Sequence, residues 1–289
     1  MTPNDPTRVA LVGAGRVGTA VALLLKQAGF AVVGVSSRSE TSQAEAAARL
    51  GCEVFDFRSA LPDADVVLVG VGDAGLEEVA RVLAPRIAAG TYVCHFSGSI
   101  GARPFEVMAR AGAKVCALHP VQACPDVDTA VRRLPGSAWG VTCDTDDLAW
   151  AEALVSGRLN GRPVRVREED RPVWHAAAVI VSNGIAALMS IGESMMTSID
   201  VDTPKRILSP LALGTVRNAR DGGGGGRTLT GPVVRGESFI IERHLDALRP
   251  SDLAPAYAQV VRMIVGAARE TGRIDPAVAD EMLDRVDSP

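Results

Sequence analysis

Hydrophobic positions divide the chain into two regimes. As far as about Arg167, short apolar runs alternate with stretches whose apolar residues recur at helical spacing. That order predicts strands at residues 9–12, 31–35, 65–69, 91–95, 114–118, 138–142 and 163–166, with helices at 44–50, 76–87 and 104–111 among the connections. Alternating strand and helix is the pattern of an open parallel sheet covered by helices on both faces. Past Arg167-Glu168-Glu169-Asp170 the strand signal stops. Asp170 followed by Pro172 marks a helix start, because proline sits without cost in a first turn that needs no N–H. The run over 172–199 is apolar on almost every face and roughly 40 Å long as a helix. Such a helix is expected to be buried all round, as the centre of an all-α domain and the seam of a dimer. Further helices are predicted at 204–219, 237–248 and 252–270, with five glycines at 222–226 as a flexible connection.

The first strand runs into Gly13-x-Gly15-x-x-Gly18, the amphipathic run VGTAVALLLKQAG follows, and AVVGV closes a unit of about thirty residues. In this context Gly13 allows a sharp turn, Gly15 leaves room for a pyrophosphate and Gly18 lets the helix pack on the strand; Arg16 and Val17 in the turn are counted with the cofactor-binding residues, Arg16 either adding charge near the phosphates or lying on the surface. The expectation is therefore an α/β chain: residues 1–167 form an N-terminal Rossmann dinucleotide-binding domain, and residues 168–289 form an all-α substrate and dimerisation domain built on one long buried helix.

The second strand ends in Ser36-Ser37-Arg38, where an NAD-preferring site would carry an acidic residue. Two hydroxyls and a guanidinium suit a 2′-phosphate instead, so the cofactor expected is NADP. The same residues also allow Ser39 or Thr41 to cap the next helix with Arg38 solvated. In this architecture ligands lie outside the carboxyl ends of the strands. Gly70 and Gly72 follow one strand and would flank the cofactor. Ser97 in HFSGS and His119 in LHPVQ follow two others and could reach a nicotinamide or a substrate carbonyl; His95, inside its strand, reads as a core histidine. On the long helix His175, Ser182, Asn183 and Glu193 stand among apolar neighbours, where each needs a partner or a cavity. His175 and Asn183 are candidates to donate a proton and orient a substrate at a cleft between the domains. Thr230, Arg235 and Gly236 lie in a turn-rich segment that could hold a carboxylate, or Arg235 could simply pair with Glu237.

Composition narrows the partners. The 289 residues carry a formal charge of −4 and no basic stripe, which gives no reason to expect a nucleic-acid partner. Five cysteines without C-x-x-C spacing read as buried hydrophobes in a reducing compartment, so a cytoplasmic protein without a metal is expected. The polar start is unlike a signal peptide, and the apolar runs are read as core rather than as a membrane span.

Taken in order, GxGxxG, HFSGS, LHPVQ, WHAAAVIVSNGIAAL and LTGPVVRGE resemble Rossmann-like bacterial proteins with an uncharacterised helical C-terminal domain, a branch of the 6-phosphogluconate dehydrogenase-like superfamily. The resemblance spans residues 8–248. It implies hydride transfer between NADP and a small carboxylic acid, with ketopantoate as the leading substrate, and a homodimer formed through the helical domain. Lysine-dependent members of that superfamily set a catalytic lysine one turn before an asparagine like Asn183, and here that position is Val179. His175 or His119, with a relay through Ser97, would then have to supply the proton. The missing lysine also leaves a second possibility, an NADP-binding sensor or regulatory protein without turnover.

Overall fold

The computed structural model describes residues 6–287. In the first part of the chain β1 (Arg8–Val12), α1 (Arg16–Gln27), β2 (Ala31–Ser36), α2 (Glu40–Leu50), β3 (Glu53–Val54), β4 (Val66–Val69) and α3 (Leu76–Leu83) lead to β5 (Tyr92–His95), α4 (Glu106–Arg110) and β6 (Lys114–Pro120). Then come α5 (Val127–Arg133), β7 (Ala138–Cys143), α6 (Leu148–Ala153) and β8 (Arg162–Arg165). The strands form one sheet in the order β3-β2-β1-β4-β5-β6-β7-β8. All neighbours are parallel except β6 and β7, whose antiparallel register sets His119 opposite Gly140. Val9–Val12 of β1, the whole of β4 and the inner part of β5 are buried, which is why they read as continuous apolar runs. Two-residue β3 has both side chains exposed and gave no pattern to read. The order reverses between β1 and β4, and the crevice beyond their carboxyl ends is where this architecture binds ligands.

The helix that begins at α7 (Arg171–Val179) passes through a π-helical turn, Ile180–Gly184, into α8 (Ile185–Thr197). The chain divides within that turn, after Ser182 rather than after residue 167. The second unit continues with α9 (Pro204–Asp221), α10 (Ser238–Leu248), α11 (Ala254–Glu270) and α12 (Pro276–Asp287). Its core joins Ile241, Val261, Val265, Ala268 and Met282 from the last three helices.

The expectation of a long helix buried all round is not met. Val173, Ile180 and Val181 are 73%, 67% and 63% exposed. On α9 Leu211 and Leu213 are exposed as well. An all-round apolar helix needs cover on every side, and this chain leaves much of its surface open. By length and composition alone the helical run Glu168–Thr197 is also apolar enough to cross a membrane.

Candidate active site

The turn between β1 and α1 is made of glycines that interlock with the end of β4. Gly13 has φ 91°, a conformation that suits glycine, and its N–H donates to Ser36 O at 2.7 Å. A Cβ on Gly13 would lie 2.8 Å from the Gly70 carbonyl carbon, one on Gly18 would lie 2.9 Å from Gly70 Cα, and one on Gly15 would fall on Gly70 O. Gly70 in turn could carry no Cβ without striking Gly13 O. The reading of Gly15 as clearance for a pyrophosphate therefore needs correction: its bare Cα, like that of Gly70, first serves backbone packing. The packing draws the turn against β4 and leaves the first-turn amides of α1 without intrahelical acceptors. Beside them lies a cavity of about 270 Å³ lined by Gly13, Ala14, Gly15, Ser37, Arg38 and Gly72, among others. A cavity of this kind, bordered by a bare-backbone turn and a helix start, fits a dinucleotide diphosphate. Two expected contributors are not on its wall: Arg16 is exposed and donates to Pro125 O at 3.1 Å, and Val17 packs on the apolar core. Gly72 is exposed and a Cβ there would meet open space.

At the end of β2 the three residues part company. Ser36 is buried and its hydroxyl oxygen accepts from Phe57 N–H at 3.2 Å, so it braces the sheet and is corrected from ligand to scaffold. Ser39 caps α2 by accepting from Ser42 N–H. Ser37 and Arg38 remain on the wall of the dinucleotide cavity and of an adjoining one of about 640 Å³. Arg38 is exposed and makes no hydrogen bond or ion pair among the described residues. Arg58, on the wall of the adjoining cavity, lies over the Phe57 ring and pairs with Glu78 at 3.2 Å. Nothing in the sequence pattern marked it, because β3 is too short to announce a strand end.

β6, β7 and the turn after β5 are held together by Arg171, the first residue of α7, which is wholly buried. Its Nη1 donates to Thr142 Oγ1 at 3.0 Å and to Ala117 O and Gly140 O at 3.4 and 3.5 Å, and its Nη2 donates to Ser97 O. No carboxylate among the described residues pairs with it, its Nε has no partner, and burial pulls its pKa down to about 10. A buried cation thus lies behind the strand ends, a role not read from the charged break at 167–171. His95 is also buried: Nε2 donates to Gly101 O at 2.8 Å, and Nδ1 accepts from Ser97 N–H at 3.4 Å. Ser97 was expected to relay a proton. Its hydroxyl oxygen instead accepts from Ile100 N–H at 3.1 Å and closes the HFSGS turn.

His119 and His175 come together over Gly98. Their ring centroids are 5.5 Å apart and nearly perpendicular. A Cβ on Gly98 would lie 2.8 Å from His175 Cγ and 2.9 Å from His119 Nε2, so the glycine makes the room between them. Trp174 lies over Gly140, where a Cβ would come 2.8 Å from the indole, and its Nε1 donates to His119 Nδ1 at 3.0 Å. Burial first, then Arg171 and His175, push the His119 pKa down to about 4, with Asp73 opposing. The expectation that His119 supplies a proton near neutral pH is therefore corrected: it is a neutral imidazole there. Trp174 and Gly140 were not singled out from the sequence, since the antiparallel β6–β7 pairing that joins them to His119 leaves no local signal.

The second unit holds the remaining candidates. Asn183 lies in the π-helical turn and is exposed. Thr230 is exposed, and Gly236 adopts φ 72° beyond the buried Val233. Arg235 forms a two-pronged pair with Glu237 at 2.8 and 2.9 Å, the alternative open to it on the sequence reading.

An open sheet with a glycine cradle at its switch point defines a Rossmann-like protein. Family comparison agrees: a Rossmann-like domain model matches residues 4–120, and the model of a domain of unknown function, DUF2520, matches residues 137–264. The two matches follow one another along the chain, in the order of the motifs that carry the resemblance. Among solved structures it is similar to a protein provisionally assigned as an NADP oxidoreductase from Bacteroides fragilis, at 23% identity and TM-score 0.75, covering 90% of this chain and 98% of that one. It is likewise similar to a protein from Thermotoga maritima at 22% identity and TM-score 0.69, covering 91% and 99%. An imine reductase from a Pseudomonas species shares the fold at 16% identity and TM-score 0.64, covering 96% and 100%. Comparison with curated protein sequences finds no match.

Proposed function

We propose that the chain is an NADPH-dependent reductase of the carbonyl or imine of a small carboxylic acid, with ketopantoate the first substrate to test. The observation that carries this reading is the interlocked glycine cradle with the unpaired Arg38 on the wall of its cavity. Support for the redox class comes from the fold neighbours, which include an imine reductase in complex with NADP+ and a pyrroline carboxylate reductase with NADP bound. When bound, NADPH supplies a hydride to an electrophilic carbon. The cradle amides would hold its diphosphate, and Ser37 and Arg38 would take the 2′-phosphate. With a hydride supplied to the substrate carbon, the electron pair of the double bond would pass to oxygen or nitrogen, and His175 would give that atom its proton. In the second unit Asn183 is the candidate to orient a substrate, and Thr230, Arg235 and Gly236 are the candidates for its carboxylate, Arg235 on release of Glu237.

Titration of the protein with NADPH and NADH by nucleotide fluorescence, followed by turnover on ketopantoate and a set of cyclic imines, tests the proposal. Arg38→Ala is expected to weaken NADPH about 10-fold, the loss of roughly one charge-assisted hydrogen bond, and to leave NADH unchanged. Equal effects on both nucleotides would remove Arg38 from 2′-phosphate recognition. Val179 at the position of a catalytic lysine favours a second reading, a nucleotide-binding sensor. Tight NADPH binding with no oxidation on any substrate, and no change in His175→Ala, would select it.

The reading carries a homodimer formed through the helical domain, supported by the exposed apolar faces of α8 and α9, and a cytoplasmic location, supported by five cysteines outside any disulfide. Sedimentation should give twice the chain mass, and Leu211→Asp should shift it toward the monomer. A wild-type monomer would leave that surface to another partner, a membrane among them.

A further inference from the structure

We propose that His119 is a hydrogen-bond donor of fixed tautomer, a neutral imidazole with its proton on Nε2, presented to the substrate oxygen or nitrogen, and that Trp174 is the positioning residue that fixes it. The inference rests on the reductase reading above. It adds a division of labour between the two histidines, in which one polarises the double bond and the other delivers the proton.

The tautomer follows from donor chemistry. Indole Nε1–H can only donate, so the bond from Trp174 at 3.0 Å requires Nδ1 of His119 to be an acceptor, and the ring proton must lie on Nε2. Nε2 has no acceptor among the described residues and lies against Gly98, where a Cβ would come within 2.9 Å of it, on the side of the His175 ring. The arrangement is built from several elements that would each resist a change. Gly140 stands opposite His119 in the β6–β7 ladder, and its missing side chain seats the indole. Arg171, three residues before Trp174, is pinned to carbonyls in the middle of β6 and β7 and in the turn after β5, which fixes the first turn of α7 and with it the indole.

The charged and titratable groups acting on His119 are Arg171 and His175 on α7 and Asp73 after β4; Asp73 accepts from Ser99 Oγ at 3.0 Å. The cation and the neighbouring imidazole disfavour a second proton, and so does the indole, which a doubly protonated ring could no longer accept from. A neutral imidazole donor is well suited to stabilise charge as it develops on oxygen or nitrogen, because it gives a directed hydrogen bond without itself having to change protonation. In the balanced step the hydride and electron pair move as described above, the proton comes from His175, and His119 keeps its own.

The test is nitrogen NMR on the full-length protein with ¹⁵N-labelled histidine, with and without NADPH. With four histidines in the chain, the His119 signals are assigned by their loss in His119→Gln. The wild type should show the Nε2–H tautomer unchanged from pH 8 to about 5. In Trp174→Phe the ring should become a tautomer mixture and titrate closer to neutrality, while kcat falls about 10-fold or more and the NADPH Kd stays within about twofold. His119→Gln, whose amide can still donate, should keep at least about 10-fold more activity than His119→Phe; a proton-transfer role would make the two equally poor. An Nδ1–H tautomer, or titration of His119 near neutral pH in the wild type, overturns the inference even if NADPH binds tightly. Absence of NADPH binding would instead sink the reductase reading, with the tautomer decided by the same spectra. If Trp174→Phe does not fold, the wild-type spectra and the glutamine-to-phenylalanine comparison decide the matter.

Discussion

Gly15→Ala is expected to weaken NADPH binding by more than about 100-fold and to lower the stability of the nucleotide-free protein by about 1–3 kcal/mol, the usual range for a methyl forced into a filled space. The added Cβ would fall on Gly70 O, and neither side can yield by rotating a side chain because both are backbone. The turn must move off β4, and the amides that grip the diphosphate move with it. Gly72→Ala is the matched control: its Cβ meets open space, so stability should hold. Thermal denaturation and calorimetric titration of both variants give the comparison. A Gly15→Ala protein with wild-type stability and affinity would show that the interlock does not set the cradle.

Acidification from pH 7 to 4 is expected to remove on the order of 3 kcal/mol of folding stability through His95 alone. Burial pushes its folded pKa down to about 4 from an ordinary 6.5, against a backbone hydrogen bond to Gly101 that acts the other way. Between those values the unfolded chain binds a proton that the native chain refuses, so unfolding gains as pH falls. The contribution is complete above about 6.5 and lost as pH approaches 4. His119, shifted the same way but less buried, adds to the slope. Urea denaturation at intervals across this window measures it, and His95→Gln should flatten the curve. A stability independent of pH between 7 and 4 would mean that the strand-end histidines are solvated in the folded protein.

Both effects come from the carboxyl ends of the strands, and so does the division of labour between His119 and His175. The cradle borders its cavity there, the buried Arg171 ties β6 and β7 to the turn after β5, and the two imidazoles meet over Gly98. That one region combines a packed backbone with depressed histidine pKa values is what an electrostatic active site requires.

The sequence by itself determined the parallel sheet, the glycine turn and the change to helix near residue 170, because each is written in local periodicity or in a contiguous motif. It also brought forward His119 and His175, since residues just past strands and polar groups on an apolar helix stand out without any coordinates. Only the tertiary structure decided what those residues can do. Trp174 reaches His119 because β7 runs antiparallel to β6 and brings a glycine opposite it, a pairing set by register across the sheet. Ser36 and Ser97 turned from ligand to scaffold for the same reason: a hydroxyl in a strand-end motif looks free until the amide it bonds, from a distant segment or its own turn, is placed beside it. The apolar helix shows the limit most plainly. Its composition requires cover, but a linear pattern records which residues avoid water and not which surface shields them.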